Sequence, residues 1–177
     1  LMHDEREDAI GMAEDSLNAF EQVYKAKWLS MMGSKLGLAE TNKEDETLIT
    51  GLLDWMHANE ADFTNTFRDL SQEEIPDGEL FSTESFQVWH TRWQARLGEE
   101  TQDLKSSLDL MQSVNPAVIP RNHKVEEALQ AGEQGDLEPF NDLLKALEAP
   151  YEDGEHLRTY QTPPKSGEKV LQTFCGT

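Results

Sequence analysis

Residues 10–31 read IGMAEDSLNAFEQVYKAKWLSM, and the spacing of their apolar side chains decides the fold class. Ile10, Ala13, Leu17, Phe20, Tyr24, Trp28 and Met31 recur at steps of three or four, which draws one stripe along an α-helix. The stripe predicts a long amphipathic helix interrupted at Gly33 and Gly37, with the turn Lys35-Leu36-Gly37-Leu38 behind it.

The same period continues outward. A second helix is predicted from about Lys43 to Ala58, burying Leu48, Leu52, Leu53, Trp55 and Met56. A shorter one carries Phe63, Phe67 and Leu70, with Asp62 placed to cap its first turn. Pro76-Asp77-Gly78 makes a turn. From Thr83, the residues Phe86, Trp89, Trp93 and Leu97 share a face, and Leu104, Leu108 and Met111 continue the pattern in a further helix. Asn115-Pro116 ends that helix, because the residue before a proline is pushed out of the α region. Val125, Ala128 and Leu129 mark the next helix, which stops between Gly132 and Gly135. Asp136 then caps a helix with Pro139 in its first turn and Phe140, Leu143, Leu144 and Leu147 on its buried face.

Leucine is about twice as frequent as valine and isoleucine together, which favours helix over sheet. The expected architecture is all-α, with about six to eight helices in a domain over residues 1–150. Residues 151–177, broken by Gly and Pro, are expected to form an extended tail laid over that domain and carrying Cys175.

Thirty-five acidic against 15 basic residues give a net charge of -20. Such a field repels phosphate backbones and anionic lipid headgroups, which argues against nucleic-acid and membrane partners. No apolar run approaches the ~18 residues that span a bilayer. A single cysteine allows no internal disulfide framework and no cysteine zinc cage, and fits a reducing compartment.

No catalytic constellation stands out. His3, His57, His90, His123 and His156 are scattered without metal-ligand spacing. Gly33 and Gly37 lack the Lys-Ser/Thr ending of a phosphate loop. Trp89 and Trp93 are four apart on a helix and read as core, with a ligand groove as the alternative. Arg92 and Arg96 are placed to meet Glu99 or Glu100 in a modest surface contribution. Arg121 and Asn122, at a helix entrance after Pro120, are the polar pair to single out, as a tie between a turn and its neighbour. Cys175 is open to two readings from the residues alone, a reactive thiol or a small side chain tucked beside Phe174.

Several stretches together resemble the selenoprotein O family of kinase-like proteins, which transfer AMP to protein hydroxyls. They are Lys35-Leu36-Gly37-Leu38, the run from Ala61 to Arg68, the run from Trp89 to Leu97, Asn115-Pro116, Pro120-Arg121-Asn122, Gly135-Asp136, Ala149-Pro150-Tyr151, Pro163-Pro164 and Cys175. The resemblance covers essentially the whole chain, and it implies the C-terminal part of a larger, bacterial-type cytoplasmic protein, in keeping with Leu1 in place of Met at the start. It implies ATP and Mg²⁺ as cofactors of the parent, protein substrates, and the kinase-like remainder of the parent chain as partner. Asn115, Pro116, Arg121 and Asn122 are its structural signature; no catalytic, cofactor-binding or metal-binding residue carries over onto this chain. Selenocysteine-bearing relatives place that residue at Cys175, which implies a redox role there. The expected function is a helical scaffold that is not catalytic alone, with a redox-regulatory tail or a substrate-docking module using an acidic cluster such as Glu44-Asp45-Glu46 as alternatives.

Overall fold

The computed structural model describes residues 2–170, with side chains from Arg6 onward. Among the described residues every regular element is helical: α1 (Met2–Lys35), α2 (Asp45–Ala58), α3 (Phe63–Leu70), α4 (Glu84–Leu97), α5 (Leu104–Val114), α6 (Asn122–Glu133), α7 (Glu138–Ala146) and α8 (Arg158–Gln161), the last preceded by a 3-10 turn at Glu155–Leu157. The all-α architecture expected from periodicity is therefore what the chain adopts.

The caps follow from the residues at the junctions. Asp62, Thr83 and Asp103 each accept a backbone N–H three residues ahead, so α3, α4 and α5 start on side-chain caps. Three helices stop in the same way. At the end of α1, Gly37 takes φ +80°, the N–H of Leu38 donates to Gly33 O at 3.0 Å and that of Gly37 to Ser34 O at 3.1 Å. Gly135 plays the same part after α6, with Asp136 N–H bonded to Ala131 O. After α2 the left-handed position falls on Glu60, at φ 51°. Asp136 accepts from the N–H of Glu138, but the N-cap position of α7 falls on Leu137 and not on Asp136 as expected.

The main core gathers α2, α4, α5 and the C-terminal end of α1 around Met32, Leu36, Leu38, Ile49, Leu52, Phe67, Leu70, Phe86 and Met111. Trp55, Phe86, Trp89 and Trp93 pack through it in sequence, the first two contacts tilted and the Trp89–Trp93 pair stacked. Each indole N–H finds an acceptor: Trp55 on Thr83 Oγ1, Trp89 on Leu48 O and Trp93 on Leu36 O. Trp93 thereby satisfies a carbonyl left open at the end of α1. Both tryptophans of α4 are core, and no groove opens between them. A second, smaller core joins Ala117, Val118, Ala146 and Leu157.

Several expectations need correction. Gly33 does not interrupt α1; it lies inside the helix because Thr41 packs where a side chain would go. A Cβ on Gly33 would stand 2.0 Å from Thr41 Cγ2. Gly33→Ala is expected to cost roughly 1–3 kcal/mol through overpacking, even though alanine is the better helix former by about 1 kcal/mol. Adding Thr41→Ser should recover most of the loss, and urea titration of the single and double variants checks both statements. Leu104, Phe140 and Leu144 are exposed, since α5 and α7 bury narrower faces led by Leu108, Met111, Leu143 and Ala146. The stretch after Pro150 is extended only in part: residues 155–161 are helical, and Leu157 is buried in the second core. The greatest departure is α1, whose stripe is largely exposed.

Candidate functional site

Short helix α3 carries Asp62 at its cap, then Asn65 and Arg68, at a spacing of three that sets all three on one side. That side meets the irregular run from Asn115 to Arg121. Pro116 holds Asn115 out of the helix at φ -107° and ψ 101°, and the N–H groups of Ala117 and Val118 both donate to Pro150 O, at 2.7 and 3.2 Å. The run therefore threads between α3 and the turn at Pro150-Tyr151.

Arg68 is the centre of this seam. Its guanidinium is buried and makes five hydrogen bonds. Nη1 donates to Gln112 O at 3.2 Å and Asn115 O at 2.9 Å, and Nη2 to Tyr151 O at 3.1 Å. Nη2 and Nε also grip the Asp153 carboxylate at 2.6 and 3.2 Å.

Asn115, with no exposed surface, accepts from Lys35 Nζ at 3.2 Å and donates to Lys35 O at 2.9 Å and Ser71 Oγ at 3.1 Å. Lys35 Nζ also donates to Val114 O and sits 5.5 Å from the centre of the Phe67 ring. Burial holds the Lys35 ammonium below its ordinary pKa.

Arg121 forks onto both oxygens of Asp62, at 2.8 and 3.0 Å, and onto Asn65 Oδ1 at 2.8 Å. The other end of Asn65 donates to Gln161 O, which draws α8 into the same seam. The tie expected of Arg121 is present. Asn122 takes no part in it: it is exposed at the start of α6, and its side chain forms no hydrogen bond among the described residues.

Arg96 differs from its expected surface role. It meets Glu100 at 2.6 Å as anticipated, and also Asp45 at 2.7 Å, a carboxylate only 2% exposed. Asp45 is thus a core anchor, and Glu44-Asp45-Glu46 is not a continuous acidic surface. Asp45 opens α2, and its carboxylate also accepts the N–H of Asn42, three residues back, at 2.8 Å.

Among the described residues Asp69 has no guanidinium partner. Burial, with the Asp62 charge beside it, pushes its carboxyl from 3.8 up to about 6. Asp62 shows the opposite balance: burial raises it, but the Arg121 hydrogen bond and the Asn65 and Thr64 N–H groups outweigh that and hold it below 3.8. A raised folded pKa means that the Asp69 contribution is complete below pH 3.8 and is lost as pH rises toward 6. The interval corresponds to roughly 3 kcal/mol, and solvent reaching this half-buried group reduces it to roughly 1–2 kcal/mol. Asp69→Asn is accordingly expected to stabilise the chain at pH 7 by that amount and to flatten stability between pH 4 and 6. Denaturant midpoints across that range would show a persisting fall if the idea is wrong.

Among the described residues no group of three or more His, Cys, Asp or Glu is placed to hold a metal ion, and no helix is long and apolar enough to cross a membrane. Cys175 lies outside the described residues.

These features define an all-helical segment in which the most distinctive sequence runs bind one another through buried polar groups. Comparison with known proteins agrees. A family model described as "Protein adenylyltransferase SelO" matches residues 9–148, and the chain belongs to that family. Proteins named "Protein nucleotidyltransferase YdiU" are similar to it end to end: that of Alcanivorax borkumensis is 53% identical over 178 residues, that of Nitrosococcus oceani 47%, and that of Pelagibacter ubique 46% over 179 residues. Each match takes in 100% of this chain but only 36–37% of the relative, so the chain spans a little over a third of the length of the curated relatives it matches. The family bears out nucleotidyl transfer to protein in general terms. The C-terminal placement and the non-catalytic role expected from sequence are not supported by these matches.

Proposed function

We propose that this chain is a non-catalytic scaffold segment of a bacterial-type protein adenylyltransferase, which moves AMP from ATP to Ser, Thr or Tyr hydroxyls of proteins. In that reaction the acceptor oxygen bonds the α-phosphorus, the bond to the β-phosphate oxygen breaks, pyrophosphate leaves and the acceptor gives up its proton.

One observation supports the scaffold role: the family-like motifs converge on each other. Lys35, the run from Ala61 to Arg68, Asn115, Arg121 and Tyr151 meet in one seam. Two of the carboxylates there are held by arginines, Asp62 by Arg121 and Asp153 by Arg68. ATP and Mg²⁺ are assigned to the part of the parent outside this chain on the resemblance to the family. The cytoplasmic setting is carried by the resemblance.

Incubation with ATP labelled in the α-phosphate, Mg²⁺ and a protein acceptor tests both halves of the reading. The full-length parent should incorporate AMP, and this chain alone should not. Labelling by the chain above a heat-killed control would end the scaffold role; an inert parent would end the transferase assignment.

A further inference from the structure

α1 has two faces with different fates. Near its C-terminal end, Met32 and Leu36 point into the main core, on the side that meets α2 and α5. The stripe of Ile10, Leu17, Phe20, Tyr24 and Met31 lies about 100° away round the helix, at about 100° per residue. All five are about half exposed or more, and Phe20 and Tyr24 stack on each other at 6.1 Å without covering either ring. Met31 is exposed directly beside buried Met32, and of the predicted stripe Trp28 alone is partly buried against the core.

Every residue from Met12 to Lys27 is exposed. That is more than four turns, about 24 Å of helix, with no tertiary support among the described residues. A helix this long is marginal in water by itself and owes its stability to burial of one face. An unbroken apolar stripe of this size on a folded protein marks an interaction surface.

We infer that the stripe is the seat of the parent protein's remaining chain, which lays a complementary apolar surface along Ile10, Leu17, Phe20, Tyr24 and Met31. This rests on the reading of the chain as one segment of a larger family member. The curated relatives are nearly three times as long as this chain, so most of the parent's surface lies outside it. A second copy is the poorer occupant. It would bring another net charge of -20 against this one.

The test uses the full-length parent with the photo-crosslinking residue p-benzoylphenylalanine in place of Phe20, which is close to it in shape. Asp15, on the opposite side of the helix, is the control position. Illumination should join position 20 to a peptide of the same chain outside residues 1–177, with that product lost when the probe is at position 15. Should the Phe20 variant misfold, the probe in place of Leu17 reports on the same stripe. A cross-link to a second copy, equal products from both positions, or none from the stripe would overturn the inference. AMP labelling by the same preparation is a separate readout, so an inert parent that cross-links as stated refutes the transferase reading alone.

Discussion

Arg68→Ala is expected to destabilise the chain by roughly 3–5 kcal/mol, a large share of the 5–15 kcal/mol typical of a folded domain. The guanidinium supplies donors to three backbone carbonyls, those of Gln112, Asn115 and Tyr151, at the meeting point of α3, α5 and the turn after Pro150. Truncation leaves those carbonyls unmatched where water cannot readily replace the donor, at about 1–3 kcal/mol for each one that stays dry. Asp153 is half exposed and can rehydrate, so its loss of a partner adds little. Arg68→Lys should recover less than half of the loss, because one ammonium cannot reproduce a five-donor fork. Urea titration gives the magnitude. Hydrogen exchange gives the location: residues 151–161 should lose protection before α2 and α4. A loss below about 1 kcal/mol would show that solvent already reaches the seam.

Arg121→Ala should cost roughly 3–4 kcal/mol. It strips the bidentate partner from Asp62 and leaves that carboxylate partly buried beside Asp69. With Arg121 gone, only the Asn65 and Thr64 N–H groups oppose burial at Asp62, and its pKa moves up. The sign follows: the penalty of the variant is small at acid pH, where Asp62 is protonated, and grows as pH rises to neutrality. Asp62→Asn added to Arg121→Ala removes the stranded charge and keeps an oxygen able to cap the N–H of Asn65. The double variant should therefore be more stable than Arg121→Ala at pH 7. Simple additivity of the two single losses would refute this account.

The helices were legible in the sequence because their signals are local. Asp62 and Thr83 announce starts by accepting an N–H three residues ahead, and Gly37 and Gly135 announce stops by tolerating positive φ. The role of Arg121 was legible in kind, since an arginine at a helix entrance after Pro120 has few uses other than tying. Its partner was not. Asp62 and Asn65 stand 59 and 56 residues away, and nothing local specifies that pairing. Arg68 was missed as a hub for the same reason: its acceptors are backbone carbonyls, which carry no sequence signature. The inversion of Asp45, from surface charge to core anchor, needed Arg96 brought across from 51 residues downstream.

The sequence by itself determined the helical class, most helix ends and the family, all of which depend on residue order within a turn or two or on order along the whole chain. Only the tertiary structure decided which apolar stripe is core. Periodicity shows that a helix has an apolar face, and the α1 stripe from Ile10 to Met31 is as regular as any in the chain. What it cannot show is whether a neighbour exists to cover that face. In this segment the neighbours cover Met32, Leu36 and part of Trp28 and leave the rest of the stripe open, because burial is a property of two surfaces and the sequence of one helix describes only its own.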